Sequence, residues 1–452
     1  MWKKSWLPQW LRNYQRSWIS GDLSAGLIVT VMLIPQSLAY AMLAGLPPQY
    51  GMYASILPLI AYAAFGTSMA LAVGPVAVAS LMTANALTPL AAQGSPEYIA
   101  LSIALAAISG VMLFIFGMLR LGALANLLSH PVIAGFITGS AILISIGQLK
   151  PLLGLDFKAH GALSGVWGVL THLKDANLAT AGLGVLSVLA LWSARKLLKG
   201  TIARLAPMAV VVVGTAVVAL LQLDTTAGVK IVGHVPAGLP VLQLPLPNVA
   251  QMQALWLPAL LISLIGMVES ISVARSLAQK KKQRIDANKE FLGLGAANLA
   301  SAFSGGYPVT GGFARSVVNF SAGAKTPLAG VISALLMAVV LLGMTAWFYY
   351  LPQAVLAATI IVAVTSLVDF SVLKHAWHFD KADAVAFLAT MLGVLVLGVE
   401  EGIVLGVVLS LAAMVYKTSH PHIAVVGRVP GTEHFRNVER HDVQTQEHVL
   451  AL

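Results

Sequence analysis

Two prolines stand where they could build a site for a negative ion. Pro75 lies in Val73-Gly-Pro-Val-Ala-Val-Ala-Ser80 and Pro308 in Gly306-Tyr-Pro-Val-Thr-Gly-Gly312. Each lacks an N–H and disfavours helix in the residue before it, so extended chain followed by a short helix is expected at both places. The start of such a helix presents unpaired N–H groups and a positive dipole end. The backbone amides of Val76 and Ala77, and of Thr310 and Gly311, are therefore the expected anion donors. Arg315 follows about two turns after Pro308, and its fork of N–H groups suits an oxyanion. It could instead form an ion pair with Glu269, which lies in the apolar run around Gly266-Met-Val. Burial opposes ionisation of that carboxyl and a neighbouring arginine favours it, which makes Glu269 the candidate proton carrier. Gln36 and Tyr40, one turn apart after Pro35, can donate hydrogen bonds without adding charge, or can join helices to one another.

The elements that must hold these residues are membrane spans. The chain has 452 residues, 58% of them hydrophobic and only 10% charged. Apolar runs of about 17–25 residues, the length of a bilayer core, recur along it. The pattern predicts an all-α membrane protein with spans at 23–43, 50–66, 75–90, 98–119, 131–149, 178–196 and 203–222, then at 254–278, 287–304, 309–323, 327–347, 351–368, 382–399 and 401–417. The third and tenth are short for a complete crossing. A Pro- and Gly-rich connector, 223–253, separates the two sets, and Val229–Val232 within it reads as a short strand.

Charge tests the count. Of the 27 Lys and Arg residues, only Lys150, Lys158, Lys174 and Lys230 fall on the outer side, and Arg275 and Arg315 fall within spans. The other 21 face the cytoplasm, as the positive-inside rule requires for an even number of spans with both termini inside. Residues 1–20 mix Lys3, Lys4, Arg12 and Arg16 with Trp2, Trp6, Trp10 and Trp18, which suits an interfacial helix. The basic residues sit in short loops, so the net charge of +10 does not argue for nucleic acid. There is no cysteine for a disulfide or thiolate metal site, and no cofactor is expected. No nucleophile–base set appears, and Ser304-Gly-Gly-Tyr307 lacks the lysine of a phosphate loop, so an enzyme is not expected.

The two sets of spans resemble each other. The proline motifs open the third span of each set. Gln36-Ser-Leu-Ala39 corresponds to Glu269-Ser-Ile-Ser272, and Pro131 to Pro352. Because seven is odd, the second set enters from the opposite side, giving a 7+7 inverted repeat whose two helix starts face each other near the midplane. Two kinked structural helices are the plainer alternative.

The residues Asp22-Leu-Ser-Ala-Gly-Leu27 and Ile34-Pro-Gln-Ser-Leu-Ala-Tyr-Ala-Met-Leu-Ala-Gly-Leu-Pro-Pro-Gln-Tyr-Gly-Met-Tyr-Ala-Ser55 resemble the signature of the sulfate permease (SulP) family, solute carrier family 26. Gly306 to Asn319 resembles its tenth span, and His420-Pro-His-Ile through Arg436-Asn-Val438 its linker after the membrane. The resemblance implies the uracil-transporter-like fold. It implies a first repeat over 21–222 with core spans 1–4 and gate spans 5–7, and a second over 254–418 with core spans 8–11 and gate spans 12–14. It implies elevator-type movement, a homodimer in the bacterial inner membrane, and a cytoplasmic STAS domain after a linker at 419–452; the chain ends at Leu452, about where that domain's first strand would begin. It also implies a substrate-contacting arginine at Arg315, a coupling carboxylate at Glu269 and substrate contacts from Gln36 and Tyr40. Ala314 stands where several relatives have serine. Sodium-coupled members tend to carry a hydroxyl at the position of Val273, so protons are expected as the coupling ion, with sodium the alternative. Proton-coupled sulfate uptake is the leading expectation; bicarbonate or dicarboxylate symport, anion exchange and an anion channel are the others.

Overall fold

The computed structural model describes residues 8–122, 129–157, 161–242, 248–419, 425–438 and 442–444. The expected features at Trp2, Trp6, Lys3, Lys4, Lys158, Leu244–Pro247, His420–Ala424 and Arg440 lie outside them. The chain divides into two compact units with a boundary at Val407/Val408, inside the helix Val399–Ser419.

The first unit is helical, and burial sorts its helices. Among the described residues, six helices are long and apolar enough to cross a membrane by length and composition. Of these, Arg16–Leu43 and Val249–Lys280 have 67% and 72% of their apolar window buried in protein, whereas Leu178–Leu197 and Ile202–Leu221 have 22% and 17%. Apolar residues exposed on the last two, such as Leu186, Trp192, Val213 and Leu220, suit contact with lipid. Helices that are hydrophobic all round yet buried belong at the centre. The structure thus places the helices carrying Gln36, Tyr40 and Glu269 inside and the poorly buried pair at the rim.

Other expected spans are shorter or split. Residues 50–66 form two helices, Gln49–Tyr53 and Leu57–Phe65, because Pro58 has no N–H to continue the first into the second. Three helices lie where no span was expected, Ala162–Thr171, the four-residue Leu223–Thr226 and Ser371–Phe379. The first exposes Leu163, Val166, Trp167 and Leu170 along one side, the stripe of a helix lying in an interface.

Small residues set the closest packing. A Cβ on Gly110 would meet the Leu299 amide at 2.7 Å, and one on Gly295 the Phe114 amide at 2.6 Å, so Pro96–Met118 and Ala287–Phe303 touch backbone to backbone. His130–Leu153 meets Lys381–Val396 in the same way, with the Gly139 position 2.9 Å from the Met391 carbonyl. Small residues permit this close approach in membrane helices.

Two fully buried carboxyls clasp distant segments. Asp22 accepts from the amides of Lys325 and Thr326 at 2.7 and 2.9 Å and from the Thr326 hydroxyl at 2.7 Å. Glu290 accepts from the Tyr62 hydroxyl at 2.7 Å and from the amides of Thr67 and Ser68 at 2.7 and 3.0 Å. The connector forms a third clasp. Ile231 bridges Pro352, while the Val232 amide donates to Leu351 and the Gln353 amide to Lys230. The expected strand at Val229–Val232 is therefore a single bridge that ties the connector to the helix Gln353–Thr365.

In the second unit, Val426–Arg428 pairs antiparallel with Phe435–Asn437, and Arg428 bridges Gln444. The segment expected as a linker thus holds a small β element.

Replacing Glu290 leaves four donors without this acceptor, the Tyr62 and Thr67 hydroxyls and the Thr67 and Ser68 amides, and each buried one costs about 1 kcal/mol or more. Glu290→Ala should destabilise the detergent-solubilised protein by on the order of 3 kcal/mol, read as a lower midpoint of thermal unfolding. An unchanged midpoint would show that the clasp contributes nothing.

Candidate functional site

The two proline-containing segments meet as strands. Val73–Gly74 runs antiparallel to Thr310–Gly311, pairing Val73 with Gly311 and Gly74 with Thr310. Each strand turns at once into a helix, Ala77–Leu87 after the N-cap residue Val76 and Phe313–Ser321 after Gly312. Neither N-cap side chain caps its helix. The first intrahelical bonds run from the Ser80 amide to Val76 and from the Ser316 amide to Gly312, so the amides before them in each first turn point out of the helix unpaired within it.

This register corrects one expectation. The second helix was expected just after Pro308 but begins at Phe313. Extended chain continues through Val309 because other side chains satisfy it. Asn298 donates to the Val309 carbonyl and accepts from the Val309 amide, both at 2.9 Å, and Ser301 donates to the Tyr307 carbonyl at 2.7 Å. The positional equivalent of Pro75 is thus Gly311.

Thr310 and Gly311 consequently do not serve as helix-start donors. The Gly311 amide donates to Ser270 Oγ at 2.9 Å, and the Thr310 hydroxyl contacts Ser270 Oγ at 2.7 Å and donates to the Gly266 carbonyl at 2.6 Å. These bonds fix the strand to the helix that carries Glu269. Phe313, not singled out from the sequence, takes the vacated place, while the Gly312 amide donates to the Ala72 carbonyl at 3.1 Å. The signal was present in the pair Gly311-Gly312, since glycine is tolerated at an N-cap.

The other nominated residues do come together. Gln36, Tyr40, Val76, Ala77, Ala314, Arg315 and Glu269 line one cavity, with Pro75, Gly312 and Phe313. Its far wall is Ala363, Val364 and Leu367, from the end of Gln353–Thr365 and the residues after it. That wall is apolar, so every polar group in the cavity comes from the helix starts, from Ile19–Leu43 and from Val249–Lys280.

Arg315 is 3% exposed, and its Nη1 and Nη2 have no hydrogen-bond partner. Glu269 is 9% exposed, and its Oε2 has none. Among the described residues no ion pair joins them, so the alternative of a structural Arg315–Glu269 pair is not what this structure contains. The guanidinium is seated by glycines. A Cβ on Gly312 would lie 3.1 Å from Nη2 and 3.2 Å from Nε, and one on Gly74, whose φ is +150°, would lie 3.4 Å from both Nη atoms.

Chemically the arrangement suits a negative ion: a buried guanidinium with unpartnered donors, two helix starts of the same sign and two neutral side chains. Among the described residues there is no cluster of three or more His, Cys, Asp or Glu that could hold a metal.

Residues 19–390 match the model of the sulfate permease family. The chain is 37% identical over 440 residues to the chloroplastic sulfate transporter 4.1 of Arabidopsis thaliana, covering 96% of this chain and 64% of that one. It is 34% identical to a probable sulfate transporter of Mycobacterium tuberculosis, covering 95% and 76%. The chain therefore spans a little under two thirds of the length of the plant relative. Its fold matches that of murine solute carrier 26 family member A9, an anion transporter in the inward-facing state, with a TM-score of 0.86 at 25% identity over 98% of this chain and 76% of that one. It also matches the transmembrane domain of the cyanobacterial bicarbonate transporter BicA, with a TM-score of 0.74 at 24% identity over 89% and 98%. An integral membrane protein with this fold and this match belongs to the sulfate permease family.

Proposed function

We propose that this chain carries sulfate or a similar oxyanion across the membrane together with protons. The observation that carries the proposal is the unpartnered Arg315 guanidinium at the meeting of two uncapped helix starts, with the unpartnered Glu269 carboxyl lining the same cavity. A buried cation beside two positive dipole ends calls for a negative ligand. A carboxyl free of any ion pair can take up and release a proton as the ligand comes and goes. The names of the plant and mycobacterial relatives support sulfate.

Protons are favoured over sodium by the hydrogen bonds beside Glu269. The hydroxyls of Ser270 and Thr310 are engaged with each other and with Gly266, and the next turn offers the apolar Val273. Bicarbonate, dicarboxylate and chloride remain the alternative substrates on the same scaffold. Ala314, with no hydroxyl to donate, leaves the cavity less specific on that side.

In this reading the helices form fourteen spans in a 7+7 inverted repeat, and the antiparallel pairing of the two equivalent strands supports it. Spans 1–4 and 8–11 form the moving core, and spans 5–7 and 12–14 the gate. The two sets of glycine-mediated packing, one within each group, support rigid bodies that move as units, as an elevator requires. Both termini lie in the cytoplasm of a bacterium, and the protein functions as a homodimer.

Uptake of radiolabelled sulfate into proteoliposomes tests the proposal. An inward proton gradient should stimulate uptake, and Glu269→Gln should abolish the stimulation; uptake indifferent to the gradient sinks the proton reading. Arg315→Ala should raise the apparent Kd for sulfate at least about 30-fold, the effect of about 2 kcal/mol expected for truncating a buried charged partner. Equal uptake of bicarbonate or chloride in competition would replace sulfate as the substrate. Gly312→Ala must displace the guanidinium by a few tenths of an ångström, and its sulfate uptake should fall several-fold at unchanged thermal stability. Gly74→Ala adds backbone strain at φ +150° and should lower uptake further. Full uptake by both variants would show that the seat of Arg315 is not critical.

A further inference from the structure

Arg315 lines two cavities. The second lies behind the strand pair, walled by Val29 and Leu33 of Ile19–Leu43, by Ala72 and Val73, and by Asn319. The Arg315 guanidinium packs against Gly74, the residue between Val73, which lines this second cavity, and Pro75, which lines the anion cavity. The guanidinium thus stands at the partition.

Asn319 is four residues after Arg315 on the same helix, so the two side chains share a face. It is 4% exposed. Its Nδ2 donates to the Ala70 carbonyl at 3.0 Å, which fixes the orientation of the amide and turns Oδ1 away from that bond. Oδ1 has no hydrogen-bond partner, and neither have Arg315 Nη1 and Nη2. One cavity is therefore lined by a buried unpaired acceptor and by buried unpaired donors that do not reach each other. Buried polar atoms left in this state are rare in folded proteins.

We propose that this second cavity is a binding site for water, and that Asn319 is a positioning residue which holds the Arg315 guanidinium through it. The ligand must accept from the guanidinium and donate to the Asn319 carbonyl oxygen. Sulfate and chloride only accept, so the site rejects the transported ion that the other cavity receives. Water does both, and a buried water with two or more polar partners is ordinary protein structure. The arrangement keeps the arginine charged and in place while its remaining donors face the anion. The inference rests on the reading of Arg315 as the anion-binding residue.

Sulfate affinity in two variants tests it, with Arg315→Ala as the reference. Asn319→Asp places a carboxylate in the same cavity as the guanidinium, whose attraction draws the guanidinium from the anion cavity; sulfate Kd should rise about 10-fold or more. Asn319→Leu keeps the volume and removes the water's acceptor, and should raise Kd less, about 3-fold. Both lose the bond to Ala70, so a merely structural asparagine would give equal losses. Only Arg315 and Tyr62 among the cavity's lining residues titrate. In a Glu269→Gln background, acidification should therefore restore sulfate affinity in Asn319→Asp and not in Asn319→Leu. Parent-like affinity in both variants, or equal losses without recovery in acid, overturns the inference. Where a variant fails to fold, a structure of the parent that resolves ordered solvent decides: density bonded to both Arg315 and Asn319 supports it, and a direct contact between them refutes it. Unchanged sulfate affinity in Arg315→Ala would instead remove the functional reading itself.

Discussion

A buried guanidinium beside two helix N-termini concentrates positive charge that, among the described residues, no ion pair offsets. Glu269 shares the cavity yet forms no ion pair with Arg315. Moving charge out of water is costly unless a partner compensates it. The rest of the structure can be understood as what holds that charge in place. The two strands keep the helix starts at a fixed separation, and Asn298, Ser301, Ser270 and Ser316 satisfy the extended backbone around them. Irregular backbone at membrane depth survives only when it is satisfied in this way or lines a cavity.

The clasps extend the same logic outward. Glu290 ties the loop before the first strand to Ala287–Phe303, and Asp22 ties the start of Ile19–Leu43 to the loop before Leu328–Gly343. The Ser80 and Tyr307 hydroxyls meet at 3.1 Å, joining the first broken helix to the approach of the second. The polar groups of the anion cavity thus belong to one cross-linked set of helices. The cavity's wall at Ala363, Val364 and Leu367 is apolar.

Much of this was legible in the sequence, because the strongest signals are energetic extremes. An arginine and a glutamate inside apolar runs, and a proline ahead of a short apolar helix, cost too much to be incidental, and Arg315, Glu269, Gln36, Tyr40, Val76 and Ala77 do line one cavity. The start of the second helix was misplaced because proline marks where helix is disfavoured, not where it begins. Whether the chain turns helical at Val309 or at Phe313 depends on Asn298 and Ser270, which lie far away or on another helix. The same limit hid the roles of Asp22 and Glu290, since their partners are backbone amides about three hundred and about two hundred residues away. The helix Ala162–Thr171 was missed although its apolar stripe was visible, because it is too short to count as a span.

The separation of Arg315 from Glu269 is what makes the site able to couple two ions in the proposed reading. If the two groups were paired, the anion would have to break the pair to bind, and the carboxylate released would repel it. With the groups apart but lining one cavity, a proton on Glu269 removes a negative charge from beside an arriving anion, and a bound anion makes that proton easier to hold. Each ligand lowers the cost of the other by the same amount, as linkage requires. A site with charges spaced this way favours two states, empty and doubly occupied, over either single occupancy. In the proposed reading, this is why both ions would be carried together rather than one alone.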